Sequence, residues 1–170
     1  MNPFAVLGIP ERFDVDLTAT EKQHRELSRT LHPDRFAAAG ASERQAALGK
    51  AVEVNEAWRI VRDPIRRAEA ILTLHGVDLK EENAPKADLE FLEEMLEQRE
   101  ALDDAKRAKD LEAVHRMAVA IEAKSKAVEL VLTEGFARED WAALAGKVGE
   151  LRYFRRFLDE VSAIEDELAA

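Results

Sequence analysis

The sequence RTLHPDRF, residues 29–36, interrupts a run of helix-favouring residues with a histidine, a proline and an aspartate. A proline excludes the residue before it from the α-helical region, so a helix arriving from the N-terminal side has to end at His32. Upstream, Thr18 and Glu21 have the spacing of a capping box and predict the start of that helix. The stretch therefore predicts a helix, a rigid turn and a chain that must continue in a new direction.

Further helix signals lie on both sides of this turn. The apolar stretch 3–7 lies between an asparagine and a glycine and starts with proline, which predicts a very short first helix. Downstream of the turn, Ser42 and Gln45 predict the start of a long return helix. Asp63-Pro64 either kinks that helix or caps a further one that ends near residue 75. Because no segment alternates with a period of two residues, we predict an all-α chain.

The second part of the chain is predicted to be a three-helix bundle. Residues 76–85, GVDLKEENAP, are polar and contain glycine and proline, as is typical of a linker. Helices are predicted over about 86–109, from about 110, and from about 139 to the end. Apolar residues recur there at alternating spacings of three and four, which favours an antiparallel bundle with short connections. The predicted division is 1–75, a linker over 76–85 and a bundle over 86–170.

Composition and charge restrict the classes of function. The chain has no cysteine, so it has no thiol nucleophile and no cysteine-based metal site, as is typical of a reducing compartment. The start, MNPFAVLGIPERF, has no basic residues before its short apolar stretch, which argues against a signal peptide, and no apolar run is long enough to span a membrane. We therefore expect a cytoplasmic protein that does not act at a membrane. The net charge of −10 falls after residue 75, where 14 basic residues face 24 acidic ones. Such a surface repels phosphate, which argues against nucleic-acid binding.

Three roles fit the His-Pro-Asp tripeptide. Catalysis by a His–Asp pair would need a nucleophile, but cysteine is absent and nearby Ser28 lies in mid-helix, so catalysis is disfavoured. The tripeptide could also simply end a helix, a role that requires no nucleophile and no partner. Docking to another protein is favoured by basic residues on one face of the preceding helix and just after the turn, namely Lys22, Arg25, Arg29 and Arg35.

A short helix, a basic helix that ends in HPD and a long return helix together resemble a J-domain, over residues 1–75. The resemblance implies docking on a DnaK-class chaperone and stimulation of its ATPase. His32, Pro33 and Asp34 would be the triggering residues, with Asp34 pairing with a chaperone arginine, and the basic residues would meet an acidic chaperone surface. The chain itself would not be an enzyme and would have no catalytic residue, because hydrolysis would take place in the partner.

The whole chain resembles the HscB (Hsc-type) family of J-domain co-chaperones. The stretches that carry the resemblance are NPFAVLGIP, LHPDRF, VNEAWRIVRDPIRRAEAILTLHG and FLEEMLEQREALDDA. It implies a protein that binds an IscU-like iron–sulfur scaffold, delivers it to an HscA-like chaperone and so promotes cluster transfer. Without cysteine, the chain itself is expected to hold no cluster and no other cofactor. A J-domain co-chaperone that delivers a different client stays an open alternative.

The first bundle helix carries two apolar stripes. Phe91, Met95 and Leu102 form one, which we expect in the core; Leu89, Leu92 and Leu96 form the other. Carboxylates beside this second stripe make it suitable as a partner surface, and Tyr153 on the last helix is expected to point away from its own core stripe as an anchor. The alternative for Leu92 and Leu96 is packing against another helix. By resemblance, the scaffold-contacting positions are Leu92, Leu96, Glu97, Glu100, Asp104 and Tyr153.

Two of these positions depart from the family pattern, and three other histidines need an account. Glu93 stands where an apolar residue is expected, and Tyr153 stands where phenylalanine is expected. His24 is expected to pack half-buried, and His75 to contact a helix end. Glu112 and His115 have the spacing of a di-iron ligand pair, but the second copy that such a site needs is missing. A helical enzyme or metal protein that uses His32, Asp34 or His115 is the alternative from a different class.

Overall fold

The computed structural model describes residues 1–79 and 88–169, and every regular element within those ranges is helical. The all-α prediction is therefore confirmed. The chain divides into two compact units, Met1–Val77 and Asp78–Ala170. The predicted linker over 76–85 and the predicted start of the first bundle helix at about 86 overlap residues 80–87, which lie outside the described residues.

The first unit contains four α-helices and one short 3-10 helix. They are α1 (Pro3–Leu7), α2 (Leu17–Thr30), the 3-10 helix (Pro33–Phe36), α3 (Ala41–Arg62) and α4 (Pro64–Leu74). As predicted, α1 begins after Asn2, whose side chain accepts hydrogen bonds from the first backbone N–H groups of the helix. It ends at Gly8, whose φ of 67° lies in the left-handed region that glycine tolerates best.

Two predicted helix starts are wrong. Helix α2 is capped by Asp16 rather than Thr18, and the Asp16 carboxylate accepts the N–H of Ala19 at 2.9 Å. An aspartate in this position combines a strong cap with a negative charge at the positive end of the helix, so it prevails over a threonine. Helix α3 begins after Gly40, with no side-chain cap, rather than at Ser42. Asp63 does cap a separate helix α4 and ends α3, because its backbone is extended there.

The core of the first unit forms where α1 and α4 pack on α3. Its apolar members are Phe4, Leu7, Phe13, Ala47, Val54, Ala57, Val61, Ile65, Ala68, Ile71 and Leu72. Arg67 is buried among them and donates a hydrogen bond to the carbonyl oxygen of Val61 at 2.6 Å. Its guanidinium also lies 4.7 Å from the ring centre of Phe13. Because the last carbonyls of a helix lack partners within the helix, this contact joins the end of α3 to α4.

Replacing Arg67 with methionine should destabilise the first unit. Methionine keeps an apolar stem of similar length but leaves the buried Val61 carbonyl without its donor, at a cost of about 1–3 kcal/mol. The neighbouring substitution Arg66→Met removes an exposed arginine and should change the stability by less than about 0.5 kcal/mol. Urea unfolding followed by circular dichroism compares the two variants. Equal stabilities would show that the Arg67–Val61 contact contributes nothing.

The second unit is a bundle of α5 (Leu89–Ala108), α6 (Leu111–Ala137) and α7 (Trp141–Ala169). Short connections make α6 run opposite to both neighbours, as predicted. The apolar residues that recur at the predicted spacings on α6 and α7 are mostly buried, among them Val114, Ile121, Val148 and Leu151, whereas Leu111 is 43% exposed. Phe157 and Ile164 of α7 are buried as well.

Helices α5 and α7 run parallel in a register that three contacts define. Phe91 meets the rings of Tyr153 and Phe154 edge-on, with both ring centres 5.7 Å away. Further along both helices, Arg99 lies 3.3 Å from Glu160, and one heptad beyond that Lys106 lies 2.7 Å from Glu167. The hydrogen bond to Glu167 raises the pKa of Lys106. From one contact to the next, the residue number rises by a similar amount on both helices, which is expected for parallel neighbours.

Helices α6 and α7 approach each other closely at Gly135. A Cβ atom at this position would clash with the side chain of Leu144, which is itself buried. The absence of a side chain at Gly135 therefore allows this contact between the two helices.

Replacing Gly135 with alanine should destabilise the second unit by about 1–3 kcal/mol, because the Leu144 side chain has to move within a packed core. The matched control is Gly149→Ala in α7, where an added Cβ meets no atom within 4 Å. That substitution should stabilise the protein by up to about 1 kcal/mol through helix propensity. Thermal unfolding of both variants measures the contrast. Two shifts of the same sign would contradict the close approach at Gly135.

Candidate docking sites

The His-Pro-Asp turn has a defined backbone geometry. Helix α2 ends at Thr30 with Leu31 as its C-cap, and His32 adopts an extended conformation with φ −61° and ψ 134°. The His32 ring nitrogen Nδ1 accepts the backbone N–H of Asp34 at 3.3 Å, and the His32 carbonyl accepts the N–H of Arg35 at 3.0 Å. Pro33 needs no hydrogen-bond acceptor at the first position of the 3-10 helix. The turn is thus held by its own residues.

The side chains of this turn face the solvent. The side chain of His32 is 58% exposed and that of Asp34 is 90% exposed, and their nearest atoms, His32 Nδ1 and Asp34 Oδ2, lie 3.4 Å apart. Within the residues that the structure describes, no serine hydroxyl lies within hydrogen-bond distance of His32. The arrangement can present two polar groups to a partner, and among the described residues it does not form a Ser-His-Asp triad.

The basic residues around the turn are all exposed, but they do not all carry an available charge. Arg25 pairs with Glu21 at 2.6 Å, and Arg29 pairs with Glu26 at 2.8 Å. In contrast, Lys22 and Arg35 have no ion pair to any other residue that the structure describes. The face is therefore less basic than the sequence suggests, with Lys22 and Arg35 as its unneutralised cations.

Two other histidines in the first unit have structural roles. His24 is half-buried, as predicted, and stacks on Trp58 with the ring centres 5.5 Å apart. Its Nε2 atom contacts both Asn55 and Ser28. Because both contacts use the same ring nitrogen, the ring does not pass a proton from one of these side chains to the other through its two nitrogens. His75 caps α4 with its backbone N–H, while its imidazole lies 2.9 Å from a carboxylate oxygen of Glu11. The predicted contact of His75 with the helix end is therefore confirmed, and its backbone N–H makes it.

A groove of about 430 Å³ lies between α5 and α7. It brings together three of the predicted scaffold-contacting residues, Leu92, Leu96 and Tyr153. Four residues that were not predicted for this site complete the lining, namely Met95, Arg99, Arg156 and Phe157.

The groove has a buried floor and one protruding apolar side chain. Met95 and Phe157 are 6% and 4% exposed and form the floor, while Leu92 and Tyr153 are half-buried. Leu96 remains 60% exposed, so packing against another helix within this unit does not account for it. A leucine this exposed beside an aromatic ring and a buried floor is typical of a surface that a partner covers.

The predicted carboxylates border the groove instead of lining it. Glu97, Glu100 and Asp104 are exposed on α5, on the flank next to Leu96 and away from Tyr153. Asp104 pairs with Arg107 at 2.9 Å, and Glu93, the departure from the family pattern, is exposed on the same flank. These border carboxylates therefore all lie on α5.

The sequence analysis did not assign the two arginines, Arg99 and Arg156, to this site. Arg99 reaches across to Glu160, and the Arg156 guanidinium lies 4.5 Å from the ring centre of Tyr153. The signal in the sequence was the spacing of three between Tyr153 and Arg156, which places both on one side of the helix.

The metal-site alternative has no support in the geometry. Glu112 and His115 are both exposed on α6, and Glu112 pairs with Arg116 at 2.7 Å. In residues 1–79 and 88–169, no three potential ligands cluster as a metal ion would require. In the same ranges, no helix is both long and apolar enough to cross a membrane.

Known proteins resemble this chain over most of its length. Residues 87–162 match the family described as the HSCB C-terminal oligomerisation domain. The structure of chaperone HscB from Vibrio cholerae superposes with a TM-score of 0.87 at 31% sequence identity, covering 99% of both chains. The crystal structure of the human co-chaperone protein HscB superposes with a TM-score of 0.89, covering 97% of this chain and 82% of the human one; at 23% identity it supports the fold alone.

Proposed function

Since this chain belongs to the HscB family of co-chaperones, we propose that it binds an IscU-like iron–sulfur scaffold and delivers it to an HscA-like chaperone. It stimulates the ATPase of that DnaK-class chaperone and so promotes cluster transfer, in the cytoplasm and without a cofactor of its own. The observation that supports the proposal is the presence of two exposed surfaces of different chemistry, the His-Pro-Asp turn and the groove, one in each compact unit.

The turn in the first unit is the proposed chaperone-binding surface. Pro33 holds the backbone, so His32 and Asp34 lose little conformational freedom when they dock. Lys22 and Arg35 attract an acidic surface at long range, because no carboxylate of the described residues neutralises them. Arg25 and Arg29 can exchange their present partners for chaperone carboxylates at little net cost, since exposed ion pairs contribute about 0–1 kcal/mol.

The groove in the second unit is the proposed scaffold-binding surface. Burying a leucine side chain contributes about 1.5–3 kcal/mol, so Leu96, which is mostly exposed, has the most to gain from a partner. Leu92 and Tyr153 supply the adjoining apolar surface. Glu97, Glu100 and Asp104 orient the scaffold and speed its approach rather than supply most of the affinity, as charges at the rim of an interface do.

Carrying both surfaces on one chain is the proposed basis of delivery. A scaffold held by the groove is kept near the chaperone that the turn has engaged, which raises its effective concentration there. No direct contact between scaffold and co-chaperone needs to change for this to happen. Hydrolysis in the chaperone then traps the scaffold.

The substitution His32→Gln should abolish stimulation of the chaperone ATPase while leaving scaffold binding unchanged. Glutamine lacks the imidazole that the turn presents to the partner. Steady-state ATP hydrolysis by the HscA-like chaperone from the same cell, with and without scaffold, measures the effect. The control is His115→Gln on α6, an exposed histidine outside both surfaces. Full stimulation by His32→Gln would remove the turn from the mechanism.

The substitution Leu96→Ala should weaken scaffold binding about 10–100-fold, because most of the buried side chain is lost from the interface. Stimulation by the co-chaperone alone should persist. Calorimetric titration with the IscU-like protein measures the affinity, and Leu130→Ala on α6 is the control, since Leu130 is 67% exposed but remote from the groove lining. If neither leucine matters while ATPase stimulation is intact, the client is a different protein.

A further inference from the structure

We propose that Arg156 of α7 recognises a carboxylate on the scaffold, so that the docked surface must carry an acidic side chain next to an apolar one. This inference rests on the proposed function, because it concerns the same groove, and it assigns a specificity-determining residue that the sequence did not reveal.

The groove occupies a single heptad of the α5–α7 register. At one end Phe91 meets Tyr153 edge-on, and at the other end Arg99 is bound to Glu160. Arg156 lies between these two contacts and lines the groove. The contacts on either side of Arg156 therefore set its place along the groove.

Arg156 differs from Arg99 in what it contacts. Arg99 has a carboxylate within 3.4 Å. Arg156 has the Tyr153 ring, with its guanidinium carbon 4.5 Å from the ring centre, and no carboxylate of the described residues forms an ion pair with it. A cation–π contact uses the face of the guanidinium and leaves its N–H groups able to donate. Those donors match the two oxygens of a carboxylate.

The two sides of the groove carry opposite charge. The α5 flank has exposed Glu93, Glu97 and Glu100, whereas the α7 side has Arg156. A partner with a basic group towards α5 and an acidic group towards α7 fits, and the same partner turned around meets like charges on both sides. Charge complementarity therefore sets the direction in which the scaffold lies, which apolar contacts with Leu92 and Leu96 do not.

The apolar floor makes this recognition more effective. A partner that covers Leu96, Met95 and Phe157 also removes water from beside Arg156, and a charge-assisted hydrogen bond is stronger in that environment. The groove thus recognises an apolar side chain and a carboxylate of the scaffold at the same time.

The test compares Arg156→Gln with Arg155→Gln in calorimetric titrations with the IscU-like protein at low and at physiological salt. Arg155 is the adjacent exposed arginine outside the groove lining and provides the same change of charge. We expect Arg156→Gln to weaken binding at least tenfold at low salt and to reduce its salt dependence, and Arg155→Gln to stay within about twofold of the wild type. A role of Arg156 in merely holding the Tyr153 ring would lower the affinity equally at both salt concentrations, which would overturn the inference.

A charge exchange identifies the group that Arg156 recognises. The Arg156→Glu variant should bind a scaffold with an Asp→Lys or Glu→Lys substitution at one surface position at least tenfold more tightly than it binds the wild-type scaffold. If no position on the scaffold surface gives this recovery, the inference is overturned. If Leu96→Ala abolishes binding but Arg156→Gln does not weaken it, the proposed function stands and the inference falls. If the wild-type protein does not bind the scaffold at all, the proposed function fails first.

Discussion

The constraint on which the first unit depends is that Pro33 denies His32 a helical backbone. Without it, α2 could continue into residues that have good helix propensity, and no turn would separate α2 from α3. With it, the chain reverses, α2 packs along α3, and His32 and Asp34 are left on the solvent side of the turn. The same steric exclusion thus fixes a backbone direction and exposes the proposed chaperone-binding residues.

In the second unit, an exposed surface is formed by the side-chain register between α5 and α7. Phe91 against Tyr153 and Phe154, and then two interhelical ion pairs, set how α5 lies along α7. Exposed ion pairs add little stability, but they specify alignment. The helices remain far enough apart between Phe91 and Arg99 for a groove to form, with Met95 and Phe157 as its floor. The groove is therefore a consequence of packing on either side of it.

The two surfaces differ in the type of recognition they offer. The turn presents a histidine and an aspartate with nearby cations, which suits a charged and strongly hydrated partner surface. The groove presents apolar side chains between charges of opposite sign, which suits a partner that buries a hydrophobic group. Because the surfaces lie in separate compact units, each can be altered by substitution without disturbing the core of the other. Such independence is what a protein that holds two partners together requires.

Much of this structure follows from local rules that act within a few residues. Asn2, Gly8 and Pro33 mark helix ends by their own backbone preferences, and the three-four spacing of apolar residues marks the core stripes, so the sequence alone determined most helices, the turn and the second apolar stripe of α5. It left open whether Asp63-Pro64 kinks α3 or caps a new helix. It did not determine the starts of α2 and α3, where several capping residues compete within one turn. The pairs Glu21–Arg25, Glu26–Arg29 and Tyr153–Arg156 have helical spacings of three or four, so local rules can find them. Only the tertiary structure decided that Arg67 is buried against Val61 and Phe13 and that Arg99 reaches Glu160. The physical reason is that an arginine has a long apolar stem and a charged end: its partner is chosen by whatever packing brings within reach, and that is not a property of the residues next to it in the chain.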